Sequence, residues 1–284
     1  RKRKRIPSFS YQWNRVCLMT ELFVFDVDGT LSVDNSPLTD LDKREINKLL
    51  SHGYSVAIAS GRPLCGIKVV LDQLMDSPNK FAICANGAEV FDGNGKQISK
   101  HCLKFKDYLH IYNRYKSKDR TIYLYKGNVL ASFDKGKFID MEYNWNFMER
   151  FVDLNKVKMD DDEFITKMEI GSEPEDSAKL EKEILPDDWM TYNVVRSGDT
   201  FIEMVHKSVD KKTGVTNVMS YIGTTREHVH VFGDSMNDLL MIKEFDGIAM
   251  GNALPIVKKY AKKITKSVSE DGVGYALSTW FKEY

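Results

Sequence analysis

The sequence predicts an α/β fold: a doubly wound parallel sheet interrupted by an inserted α+β domain. Three observations predict it. From about residue 21 to 87, apolar runs of strand length alternate with segments of helical spacing. From about 88 to 206 the runs become alternating strands about Gly/Asn turns, mixed with helices, and from 207 the first rhythm returns. The expected plan is therefore a discontinuous α/β core over 19–87 and 207–284, an insertion over 88–206, and a basic arm over 1–18.

Taken in order, LFVFD is a buried strand that ends in acids. In TDLDKREINKLLSHG, Leu41, Ile46, Leu49 and Leu50 follow helical spacing and Gly53 closes the end. YSVAIASGRP is a second strand stopped by Gly61 and Pro63, LCGIKVVLDQLM a helix and KFAICANGA a third strand. In the insertion, AEVFDGNGKQISK and TIYLYKGNVLASF read as hairpins, KFKDYLHIYNRYK and DSAKLEKEI as helices, FITKMEIG and DTFIEMVHK as strands. The return comprises helix KKTGVTNVMSYIG, strand HVHVFGD, helix SMNDLLMIKEF, strand GIAMG, helix PIVKKYAKK and a last helix near GYALSTWF.

Composition narrows the function classes. The chain has 284 residues, 42% hydrophobic and 29% charged, as in soluble globular proteins. Residues 1–18 hold six Lys/Arg and no acid, leaving 35 basic against 41 acidic residues elsewhere. That balance argues against a folded surface for nucleic acid or anionic membrane. RKRKR matches a nuclear or nucleic-acid tag, but an appended or upstream arm is the simpler reading, with Met19 a natural start. No membrane-length apolar run or signal peptide is visible. Cys17, Cys65, Cys84 and Cys102 have neither metal nor disulfide-framework spacing, so free thiols and a cytoplasmic location are expected.

The polar clusters all fall at carboxyl ends of strands, where open parallel sheets bind ligands. Asp26 and Asp28 end the first strand, Ser60 and Gly61 the second, Asn86 and Gly87 the third, and Gly233 and Asp234 the strand after the insertion. Positions i and i+2 of an extended chain point to one side. Asp26 and Asp28 would therefore repel, raising one pKa, unless a cation offsets them. A hard divalent ion, Mg²⁺, suits three carboxylates. With a hydroxyl, a backbone N–H and a lysine, the set suits phosphoryl transfer.

DVDGT, ASGR, a VDK segment and GDSMND, in that order, resemble the four motifs of the haloacid dehalogenase superfamily of phosphohydrolases. The 88–206 insertion and SEDGVGYALS resemble its Cof-type, sugar-phosphatase-like subfamily, whose Rossmann-like core carries an α+β cap after the third strand. The resemblance implies Asp26 as nucleophile forming an aspartyl-phosphate and Asp28 as acid/base. It implies Mg²⁺ held by the Asp26 side chain, the Asp28 backbone carbonyl and Asp234. Phosphate would be bound by Ser60, Gly61 and Lys211, and Asn237 and Asp238 would bind phosphate or support the metal. Lys207, Lys211 and Lys212 all fall near the expected lysine, and the pattern favours Lys211, with Lys212 where the family usually has Gly. The implied activity is a Mg²⁺-dependent phosphatase of small phosphoesters, sugar phosphates foremost, acting as a monomer or weak homodimer. A phosphomannomutase-like phosphomutase and a non-catalytic sugar-phosphate-binding regulator are the alternatives.

Four features remain open or read as structural. Arg62 either joins the site or pairs with a surface acid, and Asn86 either joins it or only forms a turn. His228 and His230 read as an ordinary exposed pair. Cys84 reads as core and Cys65 as an inert thiol. The aromatic segments KDYLHIYNRYK and EYNWNFMERF read as helix-face packing.

Overall fold

The computed structural model describes residues 20–284. The basic arm, Cys17 and Met19 lie outside the described residues. Strand β1 (Leu22–Phe25) is buried throughout, and helix α1 (Asp40–Ser51) follows, with Thr39 as its cap accepting from the Asp42 N–H at 3.2 Å. Then come β2 (Ser55–Ala59), α2 (Leu64–Leu71) and β3 (Lys80–Cys84). β1, β2 and β3 pair in parallel and in sequence. β2 and β3 are buried at every position, as expected of strands covered on both faces.

The hairpin β4 (Glu89–Asp92) and β5 (Gln97–Lys100) pairs antiparallel onto β3 and completes one edge of this sheet. This corrects the expected domain boundary at 88. The change of texture there marks a reversal of strand direction, not departure from the core, and we place the boundary after Lys100.

The insertion then runs through β6 (Leu103–Lys104), α3 (Phe105–Tyr115), β7 (Arg120–Lys126), β8 (Val129–Ser132), α4 (Lys137–Trp145) and β9 (Arg150–Asp153). It continues through β10 (Phe164–Ile165), β11 (Lys167–Ser172), α5 (Pro174–Glu183), α6 (Pro186–Thr191), β12 (Tyr192–Ser197) and β13 (Phe201–His206). Its six-stranded sheet has the order β12-β13-β11-β7-β8-β9. Alternation divides the two faces. Ile122, Leu124, Met168, Ile170, Ile202 and Met204 pack in one cluster with the apolar sides of α3 and α5. Tyr123, Tyr125, Lys167, Glu169 and Glu203 belong to the other face. The expected helix through EYNWNFMERF stops at Trp145, because Phe147 takes φ 55° and the chain turns into β9.

The core resumes with α7 (Lys211–Ile222), β14 (Val229–Gly233), α8 (Leu239–Glu244), β15 (Asp246–Ala249), α9 (Pro255–Tyr260), β16 (Lys263–Ile264) and α10 (Gly272–Trp280). The full sheet order is β16-β15-β14-β1-β2-β3-β4-β5. The chain proceeds from β1 to β2 on one side and later from β14 to β15 on the other. The order therefore reverses between β1 and β14, and a crevice opens beyond their carboxyl ends.

His228 and His230 are not the exposed pair expected. His230 is 7% exposed and wedged between two carboxylates, Nδ1 at 2.9 Å from Asp246 and Nε2 at 3.0 Å from Glu21, while His228 Nδ1 is 2.8 Å from Glu21. Helices cover both faces of this sheet, so neither side of β14 meets water. No described helix is long and apolar enough to cross a membrane.

Candidate active site

The crevice gathers residues from four strand ends. Asp26 follows β1, its N–H bonded to the Phe232 carbonyl, which fixes it beside β14. Its Oδ1 accepts from Lys211 Nζ at 2.6 Å. Lys211 is the first residue of α7, capped by Asp210, and is wholly buried. Its second bond, 2.7 Å, goes to Asp238 Oδ1. Of the three candidate lysines, Lys211 is the one that reaches these acids: Lys207 is exposed and donates to the Trp189 and Tyr192 carbonyls, and Lys212 is only partly buried.

Asp238 is spent on holding others. Its Oδ2 accepts from the N–H groups of Asp234 and Ser235, at 2.9 and 3.0 Å, which shapes the turn after β14. Thr30 donates to Asp234 Oδ1 at 3.3 Å. Gly29 (φ +87°) lies so near Asp234 that a Cβ would stand 2.5 Å from its carboxylate. A glycine is required there on both counts.

Carboxylate oxygens of Asp26, Asp234 and Asp238 lie within 4.8 Å of one another. Burial, then Asp238, pushes the Asp26 carboxyl well above its usual range against the pull of Lys211. The same two causes push Asp234 up to about 6. Burial would lower the Lys211 pKa, but Asp238 and Asp26 outweigh it and raise it. Asp26 Oδ2 is buried without any hydrogen-bond partner. An orphaned carboxylate oxygen among crowded acids is what a divalent cation would satisfy, so the residues fit one.

Asp28, two residues on, is exposed, and its carboxylate pairs with Arg62. Arg62 grips both oxygens, Nε to Oδ2 at 2.9 Å and Nη2 to Oδ1. Arg62 is itself buried and stands 5.6 Å from the centre of the Trp145 ring. Arg62 and the exposed acid it pairs with, Asp28, line the same cavity. Ser60 Oγ accepts from the Arg62 N–H at 3.2 Å, and Ser60 and Gly61 line the same cavity as Asp26 and Asp28. Ala85, Asn86 and Gly87 all take positive φ (47°, 56°, 102°), a costly turn of the kind found at functional sites. It presents Asn86, which accepts from Asn237 Nδ2 at 3.2 Å and donates to Glu203 Oε2 at 2.9 Å.

Glu203 belongs to the insertion, whose polar face roofs the crevice. Glu142, Asn146, Lys167, Glu169 and Glu203 line the cavity from above. Sequence reasoning missed all five. The available signal was Lys167 and Glu169 at i and i+2 in KMEIG, charges on one face of a strand otherwise apolar. Cys84 lies in the buried core, as expected, and burial pushes its thiol well above its usual value, while burial pushes the Cys65 thiol up to about 11.

The family model for haloacid dehalogenase-like hydrolases matches residues 23–277. The chain belongs to that family. Its phosphatase relatives include the Bacillus subtilis 5-amino-6-(5-phospho-D-ribitylamino)uracil phosphatase YcsE, 30% identical over 92% of this chain and 95% of that protein. YwtE, a B. subtilis phosphatase of the same name, is 28% identical over 89% and 95%. A haloacid dehalogenase-like hydrolase of Bacteroides thetaiotaomicron superposes with a TM-score of 0.81 at 28% identity, over 92% of this chain and all of that one. The chain is a phosphatase of the Cof type.

Proposed function

We propose that this phosphatase is Mg²⁺-dependent, acts on small phosphorylated metabolites, sugar phosphates foremost, and works through an aspartyl-phosphate. The observation that carries the proposal is Asp26 itself: buried, one oxygen paired to Lys211 and the other unpartnered. Asp26, Asp234 and the Asp28 backbone carbonyl would hold the cation. Bound there, it would screen the acids from the phosphate and polarise the phosphoryl oxygens.

Asp26 attacks phosphorus, the bond from phosphorus to the leaving oxygen breaks, and Asp28 delivers a proton to that oxygen. Asp28 then takes a proton from water as the water oxygen attacks phosphorus, which releases Asp26 and inorganic phosphate. Ser60, the Gly61 N–H and Lys211 hold the equatorial oxygens. Asp238 keeps Lys211 and the Asp234 turn in place. Arg62 positions Asp28 at the cavity wall. YcsE's substrate, as its name states, is a phosphorylated ribityl compound, which supports a polyhydroxy leaving group here.

The test is release of inorganic phosphate from sugar monophosphates with no bisphosphate activator, which also separates hydrolysis from a phosphomutase. Release is expected with Mg²⁺, lost in excess chelator and lost in Asp26→Asn. Full activity in chelator, or in a folded Asp26→Asn protein, would refute the metal or the nucleophile respectively.

A further inference from the structure

The cap side of the cavity is unusual in what it lacks. The cavity holds about 300 Å³, room for on the order of ten waters. Glu142 and Asn146 reach it from α4, Lys167 and Glu169 from β11, and Glu203 from β13, each no more than 7% exposed. Three buried carboxylates thus face one ammonium. Glu169 and Glu203 are direct cross-strand partners, a juxtaposition of like charges that costs stability.

Most donors on this face are already committed, the exception being the Tyr123 hydroxyl, buried without a partner directly across the strand from Glu169. Lys167 gives 2.8 Å to Glu169 Oε1 and 3.3 Å to Glu203 Oε2, with its Nζ 4.3 Å from the centre of the Tyr125 ring. Tyr125 OH and Asn146 Nδ2, the latter at 2.8 Å, both donate to Glu142 Oε2. Asn86 Nδ2 is taken by Glu203. Two acceptors are left over, Glu169 Oε2 and Asn146 Oδ1, each buried with no partner. Buried polar atoms are paired in folded proteins unless something else completes them. The Tyr123 hydroxyl stands beside Glu169 and can serve it from within. The acceptor left for a bound group is therefore Asn146 Oδ1, and what completes it carries hydroxyl or amine hydrogens.

We infer that Glu142, Asn146, Lys167, Glu169 and Glu203 form the subsite for the leaving group and select uncharged or cationic polyhydroxy monophosphates while rejecting leaving groups that carry a second anion. This rests on the phosphatase reading above. Alditol, sugar and amino-sugar monophosphates are the substrate class. A second phosphate or a carboxylate at the cap end meets three buried acids against one lysine and offers no hydrogen to the Asn146 oxygen. Such repulsion rejects a competitor more strongly than a lost contact would. The surplus of acid is therefore a filter on charge as well as a set of acceptors.

The experiment compares two substrates with the same six-carbon skeleton, sorbitol 6-phosphate and 6-phosphogluconate, which differ in a hydroxymethyl against a carboxylate. Acetyl phosphate, whose leaving group is too short to reach the cap, reports the catalytic centre alone. The expected kcat/KM ratio favours the alditol by about tenfold or more. Glu169→Gln should shrink that ratio severalfold and Lys167→Met should widen it, opposite shifts that general damage to the cap would not produce. If one variant fails to fold, the wild-type ratio and the other variant still decide. Equal use of the two substrates, or ratios moving in the same direction in both variants, overturns the subsite while acetyl phosphate turnover persists. Loss of activity on all three wild-type substrates overturns the phosphatase reading and this inference with it.

Discussion

Lys211→Met is the sharpest test of how the catalytic cluster is held together. The lysine has no exposed surface and lies 2.6 and 2.7 Å from two carboxylates. At an effective dielectric constant near 20, each contact is worth on the order of 6 kcal/mol before desolvation of the lysine is deducted. Methionine of similar length fills the space but leaves Asp26 and Asp238 buried without their cation. Removing one partner of a buried pair costs about 3–5 kcal/mol, and that loss is expected here in metal-free protein. Urea unfolding of wild type, Lys211→Met, Asp238→Asn and the double variant, all in chelator, measures it. Because the lysine and Asp238 share one network, the double variant should recover about 1–3 kcal/mol of the summed single losses. A Lys211→Met loss below about 1 kcal/mol, or strict additivity, would show that the buried lysine is not what keeps these acids in place. Phosphate release by the same variants, assayed separately with Mg²⁺, should fall together with stability, since the lysine is also expected to bind phosphoryl oxygens.

Arg62→Ala should lower kcat by about 10- to 100-fold while changing KM less, because Asp28 loses the fork that aims it. Arg62→Lys should restore little, one ammonium being unable to grip both oxygens. Gly61→Ala would place a Cβ 3.1 Å from Glu203 Oε2 and 3.2 Å from Oε1, so the cap is expected to seat poorly and kcat/KM to fall by about tenfold or more. Unchanged kinetics would mean that the cap yields freely at that point. Asp42, buried against α10 where it accepts the Gly274 N–H at 2.6 Å, has its pKa raised from 3.8 to about 6 by burial. The folded state holds the extra proton between those values, so stability falls as pH rises through that window and the full cost, on the order of 3 kcal/mol, stands above it. Asp42→Asn should therefore raise Tm relative to wild type at pH 8 and much less at pH 4. A gain independent of pH would contradict the assignment.

The strand-end residues of the site were legible because strand periodicity and strand ends are written locally. Asp26, Asp28, Ser60, Asn86 and Asp234 each follow an apolar run, and the crevice collects whatever follows such runs. Lys211 was less legible, since choosing it among neighbours depends on where α7 starts, and that is fixed by the Asp210 side chain accepting the Thr213 N–H at 2.7 Å. His230 was misread because alternation along VHVF suggests a wet face, whereas a sheet covered on both sides has none. The edge hairpin β4–β5 was assigned to the cap for a related reason: local texture reports strand direction, not which sheet a strand joins. The acidic roof was missed, despite the Lys167 and Glu169 pair, because charged strand residues normally face water, and only the docking of cap on core turns Lys167, Glu169 and Glu203 inward.

Interruption of the core by the cap also orders its assembly in time. β1 lies at the middle of the sheet, yet one of its two neighbours, β14, follows it by some two hundred residues. At synthesis rates of about 5–20 residues per second, that neighbour emerges roughly 10–40 s later. During the interval β1, β2 and β3 can pair, but LFVF keeps a row of unsatisfied amides and carbonyls along an apolar edge. The cap sheet, whose strands are contiguous in the chain, has no such wait. The nascent chain therefore passes through a stage with a finished cap and a half-built core, sticky along the very strand that will carry the nucleophile, and this is where chaperone dependence and aggregation during expression should concentrate.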